Sequence, residues 1–464
     1  MVNTVSIGAT CALFGWDLEH FNRAIEEEFA RKGEEVIRHN KVLAQEGWDH
    51  IQTLLTNSEL KKRIDEAHAA TGYTLTGRNA LEKRNQIVLT GNDGFSLGSV
   101  IADVRAYCAY PMSPASTVLS TLAGWSAQTK MVVRHTEDEI AAINQALGFA
   151  YAGVRVGVGT SGGGFALMVE ALSYAGVAEL PIVVYLAQRP GPATGLPTWT
   201  GQGDLLFAVH AGHGEFMKVV LAPGDAEENI ELAAQAYNIA DVFQTPVIVV
   251  SDKLLAESHS SVTTEWVDQL TSRYVLDRGR IVTTTEQNPY LRYKASESGI
   301  SEFLIPGSMK TAHWQANSYE HEEDSHTTED AAVAVQQVNK RMKKIETYLA
   351  SKYYTAPKVF GDIETADTIF VSYGANKHVI RAALSTPECA RAAYIHFTHL
   401  YPLKKDEIRA ILGHKARYVI VENSATAQLG KLIAQECGID IRANIVRFDG
   451  RPIELADIMQ FMRS

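Results

Sequence analysis

A glutamate and an arginine are the residues of this chain whose type and position best suit chemistry. Glu139 is the last of three consecutive acids, Glu137 to Glu139, which precede a helical stretch of small residues. A carboxyl at that place either caps the helix or faces a ligand as a group that holds a proton. Thr136 followed three residues later by Glu139 matches a capping box, and acids in a first turn complement the helix dipole. From the spacing alone, capping is the more frequent outcome of this pattern.

Arg189 follows the apolar run IVVYLAQ and begins a loop that contains Pro190, Pro192 and Pro197. An arginine held by a stiff loop presents a fixed pair of N–H donors, which suits a carboxylate. The alternative is an ion pair with a nearby acid, because a buried arginine is rarely left without a partner.

A third group is the run Thr160, Ser161, Gly162, Gly163 and Gly164, which follows the strand-like VRVGVG. Glycine after a strand is the usual residue of a turn into a helix. The same arrangement also forms cradles for anions, because the first N–H groups of a helix are free to donate. The sequence leaves both interpretations open.

Two other polar clusters favour structural roles. The acidic segment His321–His326 has metal-ligand residue types, but such a charge run is typical of a solvated loop. In VHAGHGEF, His210, His213 and Glu215 alternate with glycine, which favours an ordered interface loop over proton transfer.

The elements that must position these residues follow from the hydrophobic pattern. Apolar runs alternate with helical segments from Gln86 to Ser261, which indicates a parallel sheet covered on both faces. Ligands bind at the carboxyl ends of such strands, where five loops are predicted. They are Gly91–Gly94, Pro111–Pro114, Thr136–Glu139, Thr160–Gly164 and Gln188–Gly195.

The same pattern divides the chain into four parts and predicts an α/β fold. Residues 1–80 read as a helical extension, with Asp17 as an N-cap and Gly33 as a helix stop. Residues 85–262 form the sheet domain, 263–365 an irregular connecting segment with a charged helix, and 366–464 a second, smaller parallel α/β domain.

Composition narrows the class of protein. The 464 residues carry a formal net charge of -11, which argues against a nucleic-acid partner. No apolar run reaches the length of a membrane span, and the first residues lack a basic signal-peptide region, so we expect a cytoplasmic protein. Four scattered cysteines without a C-x-x-C pair predict buried free thiols and no cluster or zinc on this chain. They are Cys11, Cys108, Cys389 and Cys437.

Several long motifs, read in order, resemble one family. YPMSPAS, HTEDEIAAINQALG, TSGGGF, QRPGPATGLPT and GQGDLLFAVHAGHGEF resemble the α subunit of the 2-oxoacid:ferredoxin oxidoreductases. VIVENSATAQLGKLI and FDGRPI extend the resemblance into the small domain, and the helical start resembles the tail of a γ-type domain. The resemblance implies a thiamine-diphosphate-binding domain followed by a domain like the C-terminal one of transketolase.

The resemblance also implies a divided cofactor site. The α subunit supplies the pyrimidine side of thiamine diphosphate, and a partner β subunit supplies the diphosphate and Mg²⁺ site and an iron–sulfur cluster. Electrons from the 2-oxoacid pass to ferredoxin, and coenzyme A accepts the acyl group. The chain fits this division, since it has neither cluster cysteines nor a G-D-G followed by a downstream Asn.

Residue roles follow from position in the family motifs. Glu139 resembles the glutamate that hydrogen-bonds the pyrimidine ring nitrogen and favours the imino tautomer, whose nitrogen takes the thiazolium C2 proton. Arg189 resembles the clamp for the substrate carboxylate. The remaining residues that the resemblance implies are the substrate-binding hydroxyls of Ser113 and Thr194 and the cofactor-binding Pro111, Thr160, Ser161 and Gly162.

The substrate that the resemblance favours is 2-oxoglutarate, and pyruvate or another 2-oxoacid stays open in its place. The family usually has Thr at the place of Ser113, Pro at Gly163 and Gly at Pro190. These differences lie where the substrate is expected. Two further functions also stay open, a docking subunit without catalysis and a subunit of a non-redox thiamine enzyme.

Overall fold

The computed structural model describes residues 2–71 and 85–464. The chain divides into two compact units, Met1–Asn85 and Gln86–Ser464. The predicted end of the helical extension at residue 80 lies outside the described residues.

The first unit is helical, as predicted. Asp17 caps the second helix by accepting a hydrogen bond from the Glu19 N–H at 3.0 Å, which confirms its predicted role. The first and third helices pack closely, because a Cβ on Gly8 would lie 1.9 Å from the carbonyl oxygen of Ala44. The helices are α1 (Val2–Leu13), α2 (Leu18–Phe29), α3 (Glu34–Leu55) and α4 (Ser58–Thr71).

The second unit alternates strands and helices through its first half. These elements are β1 (Gln86–Thr90), α5 (Gly91–Ile101), β2 (Ala106–Ala109), α6 (Ser116–Thr129), β3 (Val132–His135), α7 (Glu139–Tyr151), β4 (Val156–Thr160), α8 (Gly162–Val177), β5 (Ile182–Gln188), α9 (Leu205–His210), β6 (Val219–Leu221), α10 (Ala226–Phe243), β7 (Pro246–Asp252), α11 (Lys253–Glu257), β8 (His259–Thr263) and α12 (Thr264–Arg273). Within residues 2–71 and 85–464, no helix combines the length and apolar character that a bilayer crossing requires.

The second half of this unit contains the connecting segment and the small domain. Its elements are β9 (Ile281–Val282), β10 (Phe303–Leu304), α13 (Ala331–Leu349), β11 (Lys358–Phe360), β12 (Thr368–Tyr373), α14 (Asn376–Leu384), β13 (Ala392–Phe397), β14 (His399–Tyr401), α15 (Lys405–Ile411), β15 (Arg417–Glu422), α16 (Gln428–Cys437), β16 (Ala443–Val446) and α17 (Leu455–Arg463).

The larger sheet has seven strands in the order β14-β6-β7-β5-β4-β2-β3. All neighbours pair in parallel except β14, which adds to the β6 edge in antiparallel. Its central strands are apolar along most of their length, and β5 and β7 are buried at every position. A parallel sheet covered on both faces was predicted from these runs and is confirmed.

The sequence predicted β1 as a strand of the parallel sheet, and this prediction is wrong. This strand pairs in antiparallel with β8 in a separate two-stranded sheet, so it does not bring a loop to the edge of the parallel sheet. The predicted loop Gly91–Gly94 is the first turn of α5, where Thr90 and Asp93 form a capping box. Asn92 from this turn is buried and donates to the Pro114 carbonyl oxygen at 2.7 Å.

The smaller sheet has five strands in the order β11-β13-β12-β15-β16. Four of them are parallel, as predicted, and β11 joins the edge in antiparallel. The strand β14, which follows β13 in sequence, leaves this domain and pairs with β6 of the larger sheet. This strand therefore links the two sheets, which the apolar pattern did not indicate.

Buried charges attach the connecting segment to the sheet domain. The carboxylate of Glu179 forms ion pairs with Lys340 at 2.5 Å and Lys344 at 2.6 Å, both on α13. Arg292 donates to the Glu179 carbonyl oxygen at 2.9 Å. All four side chains are buried, so the charged helix that the sequence predicted turns part of its charge inward and fixes this segment in place.

Candidate active site

Four neighbouring strands end at one edge of the larger sheet. The carboxyl ends of β5, β4, β2 and β3 lie side by side in the strand order. Four of the five predicted loops leave from these ends, and the Gly91–Gly94 prediction is the exception. We call these loops the rim, and they are Pro111–Pro114, Thr136–Glu139, Thr160–Gly164 and the proline loop, residues 189–204.

Glu139 is the first residue of α7, and it does not cap the helix. The N-cap is Asp138, whose Oδ1 accepts a hydrogen bond from the Ala141 N–H at 2.7 Å. The Thr136 hydroxyl instead donates to the Asp138 carbonyl oxygen at 3.0 Å. The capping box predicted for Thr136 and Glu139 is therefore wrong, because α7 starts at Glu139 itself and Asp138, directly before it, is the N-cap.

The Glu139 side chain points inward. The residue is 4% exposed, and its buried Oε1 makes no hydrogen bond with any of the described residues. A buried polar atom without a partner costs free energy, about 1–3 kcal/mol and more for a charged group. Such an atom at the edge of a parallel sheet indicates a ligand that supplies the missing hydrogen bond.

The absence of a side chain at Gly164 makes room for this carboxyl. A Cβ on Gly164 would lie 2.5 Å from Glu139 Oε1 and 2.2 Å from Thr160 Oγ1. Ser161 precedes α8 without capping it, and its buried hydroxyl also has no hydrogen-bond partner in the part of the chain that the structure describes. The glycine run thus serves close approach to Glu139 rather than only a turn.

Replacing Gly164 with alanine tests this close packing. The added methyl group must displace Glu139 or Thr160, so we expect ligand affinity at the rim to fall by about tenfold or more, with a stability loss of about 1–3 kcal/mol. Gly163→Ala on the same helix is the control, since its Cβ meets nothing closer than the Ala193 carbonyl oxygen at 3.9 Å. Cofactor titration and thermal melting of both variants measure the difference. Equal behaviour of the two variants would contradict the assignment.

Arg189 begins the proline loop directly after β5. Its Nη1 donates to the carbonyl oxygen of Ser113 at 2.7 Å. Among the described residues, no carboxylate oxygen lies within 4.0 Å of its guanidinium, so the alternative of an ion pair is not found. The remaining N–H groups of a partly exposed guanidinium are therefore free for an anionic ligand.

The loop after β2 connects Arg189 with the Glu139 group. Its Met112 Sδ lies 3.9 Å from Thr160 Oγ1, while the next residue, Ser113, receives the Arg189 hydrogen bond. Pro111 and Ser113 are exposed. Ser113 contacts Arg189 through its carbonyl oxygen. Thr194 is exposed in the proline loop.

The small domain holds the proline loop in place. The Gln202 Nε2 donates to Asp252 and to the Tyr373 carbonyl oxygen, and its Oε1 accepts from Asn423 and Asn376. Gln202 is buried and satisfied on both sides of its amide. These contacts join residues far apart in sequence, and they explain why a rim loop needs the second domain.

Asp204 is a rim residue that the sequence did not single out. It stands at the N-cap position of α9 but makes no side-chain capping bond. A Cβ on Gly162 would lie 2.5 Å from Asp204 Oδ2, which is buried and has no hydrogen-bond partner among residues 2–71 and 85–464. Burial raises the pKa of this carboxyl to about 6, and Arg189 opposes the rise. The Asp before a helical run was a visible signal, but it indicates capping in most helices.

The polar clusters outside the rim have structural surroundings. His321 is buried, stacks on Tyr293 and contacts the Val177 carbonyl oxygen through Nε2 at 3.0 Å. The prediction of a solvated loop is therefore wrong for His321. His213 is exposed, and its N–H donates to Ser173 at 2.7 Å. All four cysteines are free and buried, as predicted.

A family model matches residues 98–340 of this chain. It describes the thiamine-diphosphate-binding domain of pyruvate flavodoxin/ferredoxin oxidoreductases. The match covers all four rim loops and the connecting segment through the first half of α13.

Curated proteins and solved structures with similar chains agree with that model. The chain is 31% identical to 2-oxoacid:ferredoxin oxidoreductase 1, subunit alpha, of Sulfurisphaera tokodaii over 97% of its length and 69% of that protein. It is 26% identical to the 2-oxoglutarate synthase subunit KorA of Methanothermobacter thermautotrophicus, over 72% of this chain and 86% of that one. The 2-oxoglutarate:ferredoxin oxidoreductase of Magnetococcus marinus superposes with a TM-score of 0.84 and 28% identity, covering 99% of this chain and 77% of that one.

Proposed function

The chain belongs to the family of 2-oxoacid:ferredoxin oxidoreductase α subunits, and we propose from this that the rim is half of an active site for thiamine diphosphate. In this proposal Glu139 holds the pyrimidine ring of the cofactor and Arg189 holds the carboxylate of the 2-oxoacid. The observation that carries it is the buried Oε1 of Glu139, which has no partner within the described residues.

The residues around Glu139 fit an aminopyrimidine. Because Gly164 has no side chain, the Glu139 carboxyl packs directly against its backbone, and Glu139 Oε1 is left for a hydrogen bond to the ring. Glu139 then holds a proton at the ring nitrogen, and Thr160 Oγ1 packs against the same glycine, Gly164. When bound, thiamine diphosphate supplies the carbanion chemistry that decarboxylation of a 2-oxoacid requires.

Arg189 suits the substrate carboxylate for a separate reason. Its hydrogen bond to the Ser113 carbonyl fixes one edge of the guanidinium, and the other N–H groups are left for a two-point contact. The proline loop limits its motion, because Leu196 N–H closes the loop on the Pro190 carbonyl oxygen at 3.0 Å. Ser113 and Thr194 complete the substrate site in this proposal.

A partner β subunit supplies the other half of the site. Ile140, next to Glu139, is 49% exposed, and Leu167 on α8 is 50% exposed, so both helices that begin at the rim present apolar side chains to the outside. Over residues 2–71 and 85–464, no group of three acidic, histidine or cysteine side chains is placed to hold a metal ion. We assign the diphosphate, Mg²⁺ and the iron–sulfur cluster to the partner, with ferredoxin as the electron acceptor and coenzyme A as the acyl acceptor.

The substrate we propose is 2-oxoglutarate. Its support is the activity named for the KorA relatives and for the Magnetococcus marinus enzyme, which was solved with 2-oxoglutarate, coenzyme A and succinyl-CoA bound. A docking subunit without catalysis is disfavoured, because a chain freed from catalysis would have no need of an unpartnered buried carboxyl at the rim.

The isolated chain should bind thiamine diphosphate weakly, because half of the site is absent. Calorimetric titration of this chain alone should show weak or no binding, and adding the β subunit with Mg²⁺ should give tight binding. Titration of the β subunit alone is the control. Tight binding by this chain without its partner would contradict the divided site.

A further inference from the structure

Asp204 has an aspartate's usual position at a helix start but not the usual contacts. At the starts of α7, α10 and α11, the aspartates Asp138, Asp225 and Asp252 each accept a backbone N–H of the first turn. Asp204 occupies the same position before α9 and accepts no such bond. Its carboxyl is therefore free to serve another group.

The carboxyl of Asp204 is directed at the rim. Its Oδ2 is buried beside Gly162, the first residue of α8, and none of the residues described in the structure forms a hydrogen bond with it. The backbone is fixed on both sides, because the Asp204 N–H donates to Gln188 Oε1 at 2.8 Å and Gln428 donates to the neighbouring Gly203 carbonyl oxygen at 2.6 Å. A mobile loop tip is thus not the reason for the unpaired oxygen.

Asp204 lies next to Arg189 in the fold, because its N–H donates to the side chain of Gln188, the residue before Arg189. Burial raises the pKa of Asp204 to about 6 and Arg189 acts in the opposite direction, so the carboxyl is ionised at pH 7.5. The two groups lie farther apart than the 4.0 Å of an ion pair. Asp204 therefore offsets the charge of Arg189 without occupying its N–H groups. Tyr373, whose pKa burial raises, is another titratable group that responds to Asp204.

The chemistry of decarboxylation favours a reduced positive charge at the carboxylate site. The substrate carboxylate arrives as an anion and leaves as neutral carbon dioxide, while the electron pair of the broken carbon–carbon bond stays on the former keto carbon. A full positive charge on the carboxylate stabilises the bound anion and opposes its departure. Interactions that stabilise the ground state more than the transition state lower kcat.

We propose that Asp204 is a positioning residue that acts through Arg189, reducing the net charge of the carboxylate site so that the 2-oxoacid is oriented without being held too firmly. This inference rests on the proposed role of Arg189 as the substrate clamp. It assigns to Asp204 an effect on the balance between substrate binding and turnover.

Asp204→Asn in the complex of both subunits tests the inference. The amide keeps the size of the side chain and removes its charge, so at pH 7.5 we expect KM for the 2-oxoacid and kcat to fall together, each by about threefold to tenfold. The methyl phosphonate analogue of the substrate keeps one negative charge and cannot release carbon dioxide, so its affinity should rise by a similar factor. Asp103→Asn, at an exposed turn before β2, is the matched acid-to-amide control.

Further measurements separate failure of this inference from failure of the proposed function. A higher KM with lower kcat, or no change in either constant, would overturn the role of Asp204 while the wild-type complex still turns over. Asp204→Ser, which also removes the charge, must show the same split in KM and kcat if charge is the cause. Absence of 2-oxoacid turnover in the wild-type complex would instead contradict the proposed function itself.

Discussion

Glu139→Gln should lower turnover of the assembled complex by at least about 10², while the stability of this chain changes by no more than about 1 kcal/mol. Glutamine has the same shape, but it cannot hold the proton at the pyrimidine ring nitrogen. Stability should be nearly unchanged because the side chain makes no capping bond, and its Oε1 has no partner to lose. Steady-state rates with saturating 2-oxoacid and thermal melting of the chain provide the two measurements.

Two neighbours of Glu139 serve as controls for that variant. Glu137→Gln removes an exposed acid two residues away and should leave both turnover and melting unchanged. Asp138→Ala removes the N-cap and should lower stability by about 0.5–2 kcal/mol. Hydrogen–deuterium exchange at the thiazolium C2 should collapse in Glu139→Gln alone. Normal exchange in that variant together with a large melting shift would return Glu139 to a structural role.

The sequence predicted the sheet that carries the site better than the contacts of the individual site residues. Continuous apolar strands such as β5 and β7 predict a parallel sheet, because a strand buried on both faces needs no alternation. The capping prediction failed at Thr136 because threonine and aspartate both suit an N-cap. The backbone selects Asp138, which is extended at φ -157° and places its carboxylate over the first turn.

Contacts between distant segments explain what the sequence left out. The strand β1 has an ordinary apolar run, and only its partner β8, far along the chain, makes it antiparallel. Gln202 gains its role from Asn376 and Asn423 of the small domain. Asp204 becomes unusual only when Gly162 and Arg189 are placed beside it. A local sequence pattern does not predict such long-range contacts, because they form only when the sheets are assembled.

Arg189→Lys is the second variant with a large expected effect. Lysine keeps the charge but loses the planar pair of donors, so the assembled complex should lose about 1.5–3 kcal/mol in kcat/KM, a factor of about 10 to 150. Deuterium exchange at the thiazolium C2 should stay near the wild-type rate, because the carboxylate clamp is not needed for it. Arg391→Lys, in an exposed pair with Asp367, is the arginine-to-lysine control and should change neither quantity.

Deuterium exchange at the thiazolium C2 and overall turnover, measured together, distinguish a substrate clamp from a structural arginine. Arg189 donates to the Ser113 carbonyl, so a purely structural role would be to hold the loop after β2 against the proline loop. Loss of that contact would shift Met112, which touches Thr160 beside Glu139, and would slow C2 exchange as well as turnover. A clamp affects only the substrate step and leaves the melting temperature within a few degrees. Equal slowing of exchange and turnover, with a lower melting temperature, would therefore remove Arg189 from the substrate site and with it the residue-level support for a 2-oxoacid.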